Sequence, residues 1–258
     1  MFAIISDIHS NIDALNTVLE DINKRGIKKI ICLGDVLGYG PYPFECLDLI
    51  IENTDTCIMG NHDYAVLYEP TNFNYGAELA AYWTREQLCT EEDIKLAEKR
   101  WSFLAGLPMR YSFELESEGQ IINVDMVHAS PRRPINEYVF PDDIFTSPAK
   151  VTSLFDNVKN ICFIGHTHLP GVFLEDPDFY TPDELGDYYP IEPEERAIIN
   201  VGSVGQPRDR DKRASYAYVQ DNKVYFVRLE YDISKISEKI YSIPMLDNFE
   251  ADRLIEGR

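Results

Sequence analysis

The chain has 258 residues, 45% of them hydrophobic, which is enough for a sizeable core and excludes a disordered protein. Its 44 acidic residues against 24 basic ones leave a formal charge of −20, which argues against nonspecific binding to nucleic acid or anionic membrane. Five cysteines without a CxxC pair or a His/Cys cluster read as reduced thiols, mostly buried, in a cytoplasmic protein. Met1-Phe2-Ala3-Ile4-Ile5 is too short for a signal-peptide core, and no segment approaches the ~20 apolar residues of a membrane span.

Residues 2–6 read as a buried strand. Ile12, Leu15, Val18, Leu19 and Ile22 form the apolar face of a helix over 11–25, with an N-cap signal at Ser10-Asn11-Ile12-Asp13 and Gly26 as its stop. A strand at 30–33, a helix at 44–51 and a strand at 56–59 complete a βαβαβ rhythm, which implies parallel strands under covering helices. Residues 64–106 read as a helical, aromatic-rich, cap-like region. From 110 the chain becomes strand-rich: a hairpin at 110–115 and 120–127 through Glu118-Gly119, then strands at 160–164, 171–175, 197–201, 214–220 and 223–230. The acidic, Pro/Tyr-rich stretch 176–196 reads as a surface insertion, with a lid as the functional alternative. The last four residues, Ile255-Glu256-Gly257-Arg258, read as an appended protease site or as the end of an amphipathic helix beginning near Asp247, neither bearing on function. With no repeat and no flexible linker, residues 1–258 are expected to form one domain.

All five histidines lie in short polar motifs that follow apolar runs. These are Asp7-Ile8-His9, Gly60-Asn61-His62-Asp63, Val127-His128 and Gly165-His166-Thr167-His168, with a further carboxylate in Gly34-Asp35. In an α/β sheet the carboxyl ends of strands form the ligand crevice, so five distant segments are expected to converge at one edge. Asp7, Asp35 and Asn61 offer oxygen; His9, His128, His166 and His168 offer nitrogen. Seven ligands are too many for one ion and suit two if a carboxylate bridges. The imidazole and carboxylate mixture favours Mn, Fe, Co, Ni or Zn over Ca or Mg, and Mn is the favoured choice. No cysteine takes part, which excludes a structural zinc site.

In this order the motifs resemble the signature of the calcineurin-like metallophosphoesterases over residues 1 to about 205. The resemblance implies a four-layer α/β/β/α sandwich of two mixed sheets flanked by helices. It also implies that Asp7, His9 and His168 hold one ion, that Asn61, His128 and His166 hold the other, and that Asp35 bridges them. A hydroxide shared by two ions would attack phosphorus, with His62 as general acid. Two cations would also reverse the local sign of an acidic protein that otherwise repels an anionic substrate.

One departure matters. The protein Ser/Thr phosphatase branch has a second Asp three residues after the first, followed by Arg; here Gly38 and Tyr39 stand at those positions. His62 therefore lacks the usual orienting carboxylate, and Asp63 or a backbone carbonyl is the candidate replacement. Gly38-Tyr39-Gly40-Pro41, with the later Gly202-Ser203-Val204-Gly205-Gln206-Pro207-Arg208, is similar to a prokaryotic subgroup related to diadenosine tetraphosphate hydrolases and small phosphodiesterases. The expected reaction is hydrolysis of a phosphoester or phosphoanhydride in a small substrate such as a nucleotide or dinucleoside polyphosphate. A phosphomonoesterase or protein phosphatase is the alternative within the class; a catalytically silent metal-binding scaffold is the alternative outside it. Asn11, Arg132 and Arg208 are candidate substrate contacts; helix capping competes for Asn11, and an ion pair with Asp209 or Asp211 for Arg208. Tyr39, Tyr42, Tyr64, Phe73, Tyr75, Tyr82 and Trp83 could stack a nucleobase or pack as a helical cap.

Overall fold

The structure is a computed structural model that describes residues 1–117, 119–186 and 188–258. The first half runs β1 (Phe2–Ile5), α1 (Ile12–Lys24), β2 (Lys29–Cys32), α2 (Pro43–Asn53), β3 (Thr56–Cys57), α3 (Asn61–Leu67), α4 (Tyr75–Cys89) and α5 (Ile94–Gly106). Next come β4 (Arg110–Ser117), β5 (Gln120–Val127), α6 (Asp143–Thr146), α7 (Pro148–Phe155), β6 (Ile161–Ile164), β7 (Gly171–Leu174), β8 (Asp178–Tyr180) and α8 (Pro182–Leu185). The chain finishes with β9 (Tyr189–Pro190), β10 (Ala197–Asn200), β11 (Ala214–Gln220), β12 (Lys223–Leu229), α9 (Ile233–Tyr241) and α10 (Asn248–Glu256).

Two six-stranded mixed sheets result, ordered β3-β2-β1-β11-β12-β9 and β4-β5-β6-β10-β7-β8. β1, β2 and β3 run parallel, as do β5, β6 and β10. Side chains alternate along each strand. Phe2 and Ile4 of β1 therefore face the second sheet, while Ala3 and Ile5 face α1 and α2. β10 does the same in mirror order: Ala197 and Ile199 enter the space between the sheets, and Ile198 packs under α7. Every residue of β1, β6 and β10 is buried, as strands covered on both faces must be. The expected four layers are present, helices outside and two sheets between.

Stretch 176–196 is more than a surface excursion. β8 pairs with β7 on one sheet and β9 with β12 on the other, and Tyr189 and Ile191 are buried in the inter-sheet core. The stretch thus supplies the edge strand of each sheet on that side. Glu118, placed at the hairpin turn by the sequence, lies outside the described residues, though Ser117 still pairs with Gln120. The helices α6, α7 and α9 were not legible in advance: α6 is four residues long, and α7 opens on a proline after Ser147.

Ile199→Ala should destabilise the protein by about 2–5 kcal/mol, because Ile199 is fully buried between the sheets. Ile121→Ala, at a 60% exposed position of β5, should stay within about 0.5 kcal/mol. Urea midpoints of the two variants check both values.

Candidate metal centre

The parallel strands aim their carboxyl ends in one direction, so the segments after β1, β2, β3, β5, β6 and β10 meet at one edge. At that edge the backbone reverses to turn each side chain back toward its neighbours. Asp7, His9, Asp35, His166 and His168 all take left-handed backbone angles, with φ of 55°, 48°, 52°, 65° and 62°. Such residues cost about 1–3 kcal/mol each and cluster at functional sites. Backbone hydrogen bonds between the loops hold them. Asp7 N–H donates to Gly34 O at 3.0 Å, His9 N–H to Asp35 O at 3.0 Å and Gly165 N–H to His128 O at 2.8 Å.

Three imidazoles have their tautomer fixed from behind. Nδ1 of His9, His128 and His168 donates to the carbonyls of Leu37 (3.1 Å), Leu33 (3.0 Å) and Gln206 (2.5 Å). That leaves each Nε2 lone pair facing inward, the arrangement that metal-ligating histidines use. His9 Nε2 then sits 3.2 Å from His168 Nε2, and His128 Nε2 sits 3.2 Å from His166 Nδ1 and 3.0 Å from Asn61 Oδ1. Asp7 Oδ1 lies 3.2 Å from His168 Nε2. Asp35 Oδ2 lies between the groups, 3.7 Å from His9 Nε2 and 3.3 Å from His128 Nε2. The other oxygens are steadied by amides, Asp7 Oδ2 by His166 N–H and Asp35 Oδ1 by His62 N–H.

The facing Nε2 lone pairs of His9 and His168 repel at 3.2 Å, and Asp7 Oδ1 is buried with no hydrogen-bond partner among the described residues. A divalent cation among these three side chains would resolve both problems, and one between His128 Nε2, His166 Nδ1 and Asn61 Oδ1 would take the place of the proton there, so the residues fit the metals that the motifs imply. Among the described residues, Asp7/His9/His168 and Asp35/His128/His166 are two groups able to hold an ion, and Asn61 Oδ1 lies 3.0 Å from His128 Nε2 of the second. His62 forms a further group with His9 and Asp35, so it lies within ligand reach of the first.

The model of the calcineurin-like phosphoesterase superfamily domain matches residues 1–223. An uncharacterized protein of Methanocaldococcus jannaschii is 40% identical, over 100% of this chain and 98% of its own. The chain belongs to the calcineurin-like phosphoesterase superfamily. It is a metallophosphoesterase, and the family's metal-dependent hydrolysis of phosphoesters fits the donor set just described. The crystal structure of a metallophosphoesterase from Sphaerobacter thermophilus is similar throughout, with 33% identity, a TM-score of 0.80, and 100% and 98% of the two chains covered. A hypothetical protein of Pyrococcus horikoshii OT3 shares the fold at 20% identity and a TM-score of 0.75, covering 100% and 99%.

In this phosphoesterase the protonation pattern is uneven. Burial alone would raise the Asp7 and Asp35 carboxyls, but the facing imidazoles hold both well below the usual carboxylate range. Burial works against a proton on His128 too, yet the Asp35 charge lifts it to about 9. Burial and the charge on His128 push His166 down to about 3. Without metal, His128 is the imidazole that carries the compensating proton.

Neither candidate orienter holds His62. The buried Asp63 carboxylate instead accepts three backbone amides: Asp35 and Gly60 N–H on Oδ2 at 2.8 and 3.1 Å, and Leu37 N–H on Oδ1 at 3.1 Å. His62 Nδ1 is buried with no hydrogen-bond partner among the described residues. It rests against Gly38, where a Cβ would overlap it, and Gly38 has a φ of 88° that disfavours any side chain. Ring packing holds the imidazole, with Tyr39 at 4.3 Å, Phe73 at 4.6 Å and His9 at 4.9 Å between centroids.

The candidate substrate contacts divide. Asn11 has its side chain fully used: its Oδ1 caps α1 through Ala14 N–H, and its amide donates to Gly205 O and to Tyr231 Oη. Arg132 grips Glu137 with a forked pair and donates to Ser153. Arg208 makes no ion pair among the described residues. Asp209 and Asp211 pair with Arg228 and Arg213. Arg208 instead donates to Gln206 Oε1 at 2.6 Å, and its charge depresses the proton affinity of His9, His62 and His168 after burial has done so. Most of the sequence-selected aromatics are structural: Tyr39, Tyr42, Phe73 and Trp83 pack with α4, α9 and α10, and Tyr64 packs against the helix-side core. α10 also reaches the site, since Glu250 accepts from Gln206 Nε2 at 2.9 Å. That helix lies beyond the family's matched span.

Two outcomes are expected. Metal uptake must displace the His128 proton, so binding at pH 7 should release about one proton at that residue, fading as pH passes about 9. Titration calorimetry in buffers of different ionisation enthalpy measures this. Gly38→Ala should push His62 aside and lower kcat by about 100-fold; elemental analysis should show the metal content unchanged.

Proposed function

We propose that this metallophosphoesterase hydrolyses a phosphodiester or phosphoanhydride bond in a small, nucleotide-like substrate. The observation that carries the reading is the position of Asp35 Oδ2 between the two ligand groups, 3.7 Å from His9 Nε2 and 3.3 Å from His128 Nε2. Asp7, His9, His168 and Asp35 would hold one ion, and Asp35, Asn61, His128 and His166 the other, with manganese favoured for this donor mixture. When bound, such ions supply Lewis-acid polarisation of the phosphoryl oxygens and activate water.

The protein's own groups do the rest. Arg208, with no carboxylate partner among the described residues, would bind a phosphate oxygen of the substrate. His62 would donate a proton to the leaving oxygen. Burial first, and the Arg208 charge with it, holds this ring near a pKa of about 4 in the free protein. An entering phosphate adds negative charge beside the ring and strengthens its hold on a proton, so that proton would arrive with the substrate. Five free cysteines, four of them buried, suit the reducing cytoplasm in which we place the enzyme.

His62→Ala should keep both metals and lose turnover of bis-p-nitrophenyl phosphate by about 10²–10⁴-fold. Elemental analysis beside the rate decides the role: loss of one metal would make His62 a ligand, and an unchanged rate would remove it from the chemistry.

A further inference from the structure

The loop after His128 carries two large apolar rings that the fold leaves outside. Tyr138 is 46% and Phe140 43% exposed, while Val139 between them is buried at 1%. The alternation puts both rings on one side of the segment. Their planes are parallel to within 4°, with centroids 5.3 Å apart. Tyr138 in turn lies on His166 at 4.2 Å and 26°. The stack therefore begins on a group of the metal centre and ends in solvent.

The segment is tied at both ends. Glu137 Oε2 accepts from Ser130 Oγ at 2.5 Å and from Arg132 Nε at 2.9 Å. Phe140 N–H donates to Asp143 Oδ2 at 2.8 Å, and Lys150 Nζ approaches the same oxygen at 2.5 Å. A platform fixed in advance loses little entropy when a ligand settles on it.

We infer that Tyr138 and Phe140 form the stacking platform for the base of a mononucleotide or dinucleotide whose phosphate lies at the metal centre. Two parallel exposed rings that continue a stack from a metal-centre imidazole offer a ligand surface, and a flat π face accepts any base. The net charge of −20 opposes a long polyanion in favour of a single small one. The placement of the phosphate rests on the hydrolytic reading above.

The test compares adenosine 5′-monophosphate with ribose 5-phosphate by calorimetry on manganese-loaded protein. The base should improve affinity about tenfold. Phe140→Ala should remove that gain while ribose 5-phosphate binding changes less than twofold, and Phe140→Trp should retain it. Tyr138→Leu should also lose the gain, with metal content measured to verify that His166 is undisturbed. Equal affinity for the two ligands in the wild type, or equal loss for both in Phe140→Ala, would overturn the platform. Turnover of thymidine 5′-p-nitrophenyl phosphate on the same samples separates the two readings. Base-dependent binding without turnover would sink only the hydrolytic one; turnover without base preference would sink only the platform.

Discussion

The Asp63 carboxylate is where the ligand loops are tied together. It is fully buried, and three backbone amides from two loops point at it. Those bonds fix the path after β2 against the start of α3. Through that path Leu37 O is placed to receive His9 Nδ1, and Asp35 is placed to meet His62 N–H. Burial and the Asp35 charge push the Asp63 carboxyl up to about 7, so the arrangement is electrostatically costly as it stands. Cations on Asp35 would relieve the repulsive part of that cost. Metal and scaffold are thus coupled, each making the other's geometry less expensive.

The same economy governs the imidazoles. Three carbonyls fix three tautomers, and left-handed turns bring the rings into mutual contact. Without a cation the cluster must hold a proton on His128 and leave Asp7 Oδ1 unsatisfied. A protein with a formal charge of −20 has in this pocket a place where positive charge is demanded. An anionic substrate can approach such a place although the surface as a whole repels it.

Much of this was legible because the ligand motifs are local. Asp7-Ile8-His9 and Gly165-His166-Thr167-His168 each directly follow a strand, so a strand pattern is enough to place them at one edge. What escaped depends on contacts far apart in sequence. Asp63 looked like a partner for its neighbour His62, yet it serves amides at 35 and 37. Arg132 looked free for substrate but grips Glu137, and Asn11, whose capping role was legible, spends its amide on Gly205 and Tyr231 far along the chain. The rings at 138 and 140 carry no motif; only the position of His166 beneath them makes them notable. The last helix gave an amphipathic signal, but nothing in it foretold that Glu250 would meet Gln206, whose carbonyl steadies His168.

Gly38 has an evolutionary consequence. In the protein phosphatase branch an aspartate stands at this position, and a glycine codon can become an aspartate codon by one base change. Here that step is strained: the backbone angle disfavours a side chain, and the imidazole already fills the space a Cβ would need. A lineage that acquired the carboxylate first would displace the imidazole that the carboxylate is there to hold. The two ways of holding this histidine therefore compete for the same space, and a change from one to the other passes through a misplaced His62.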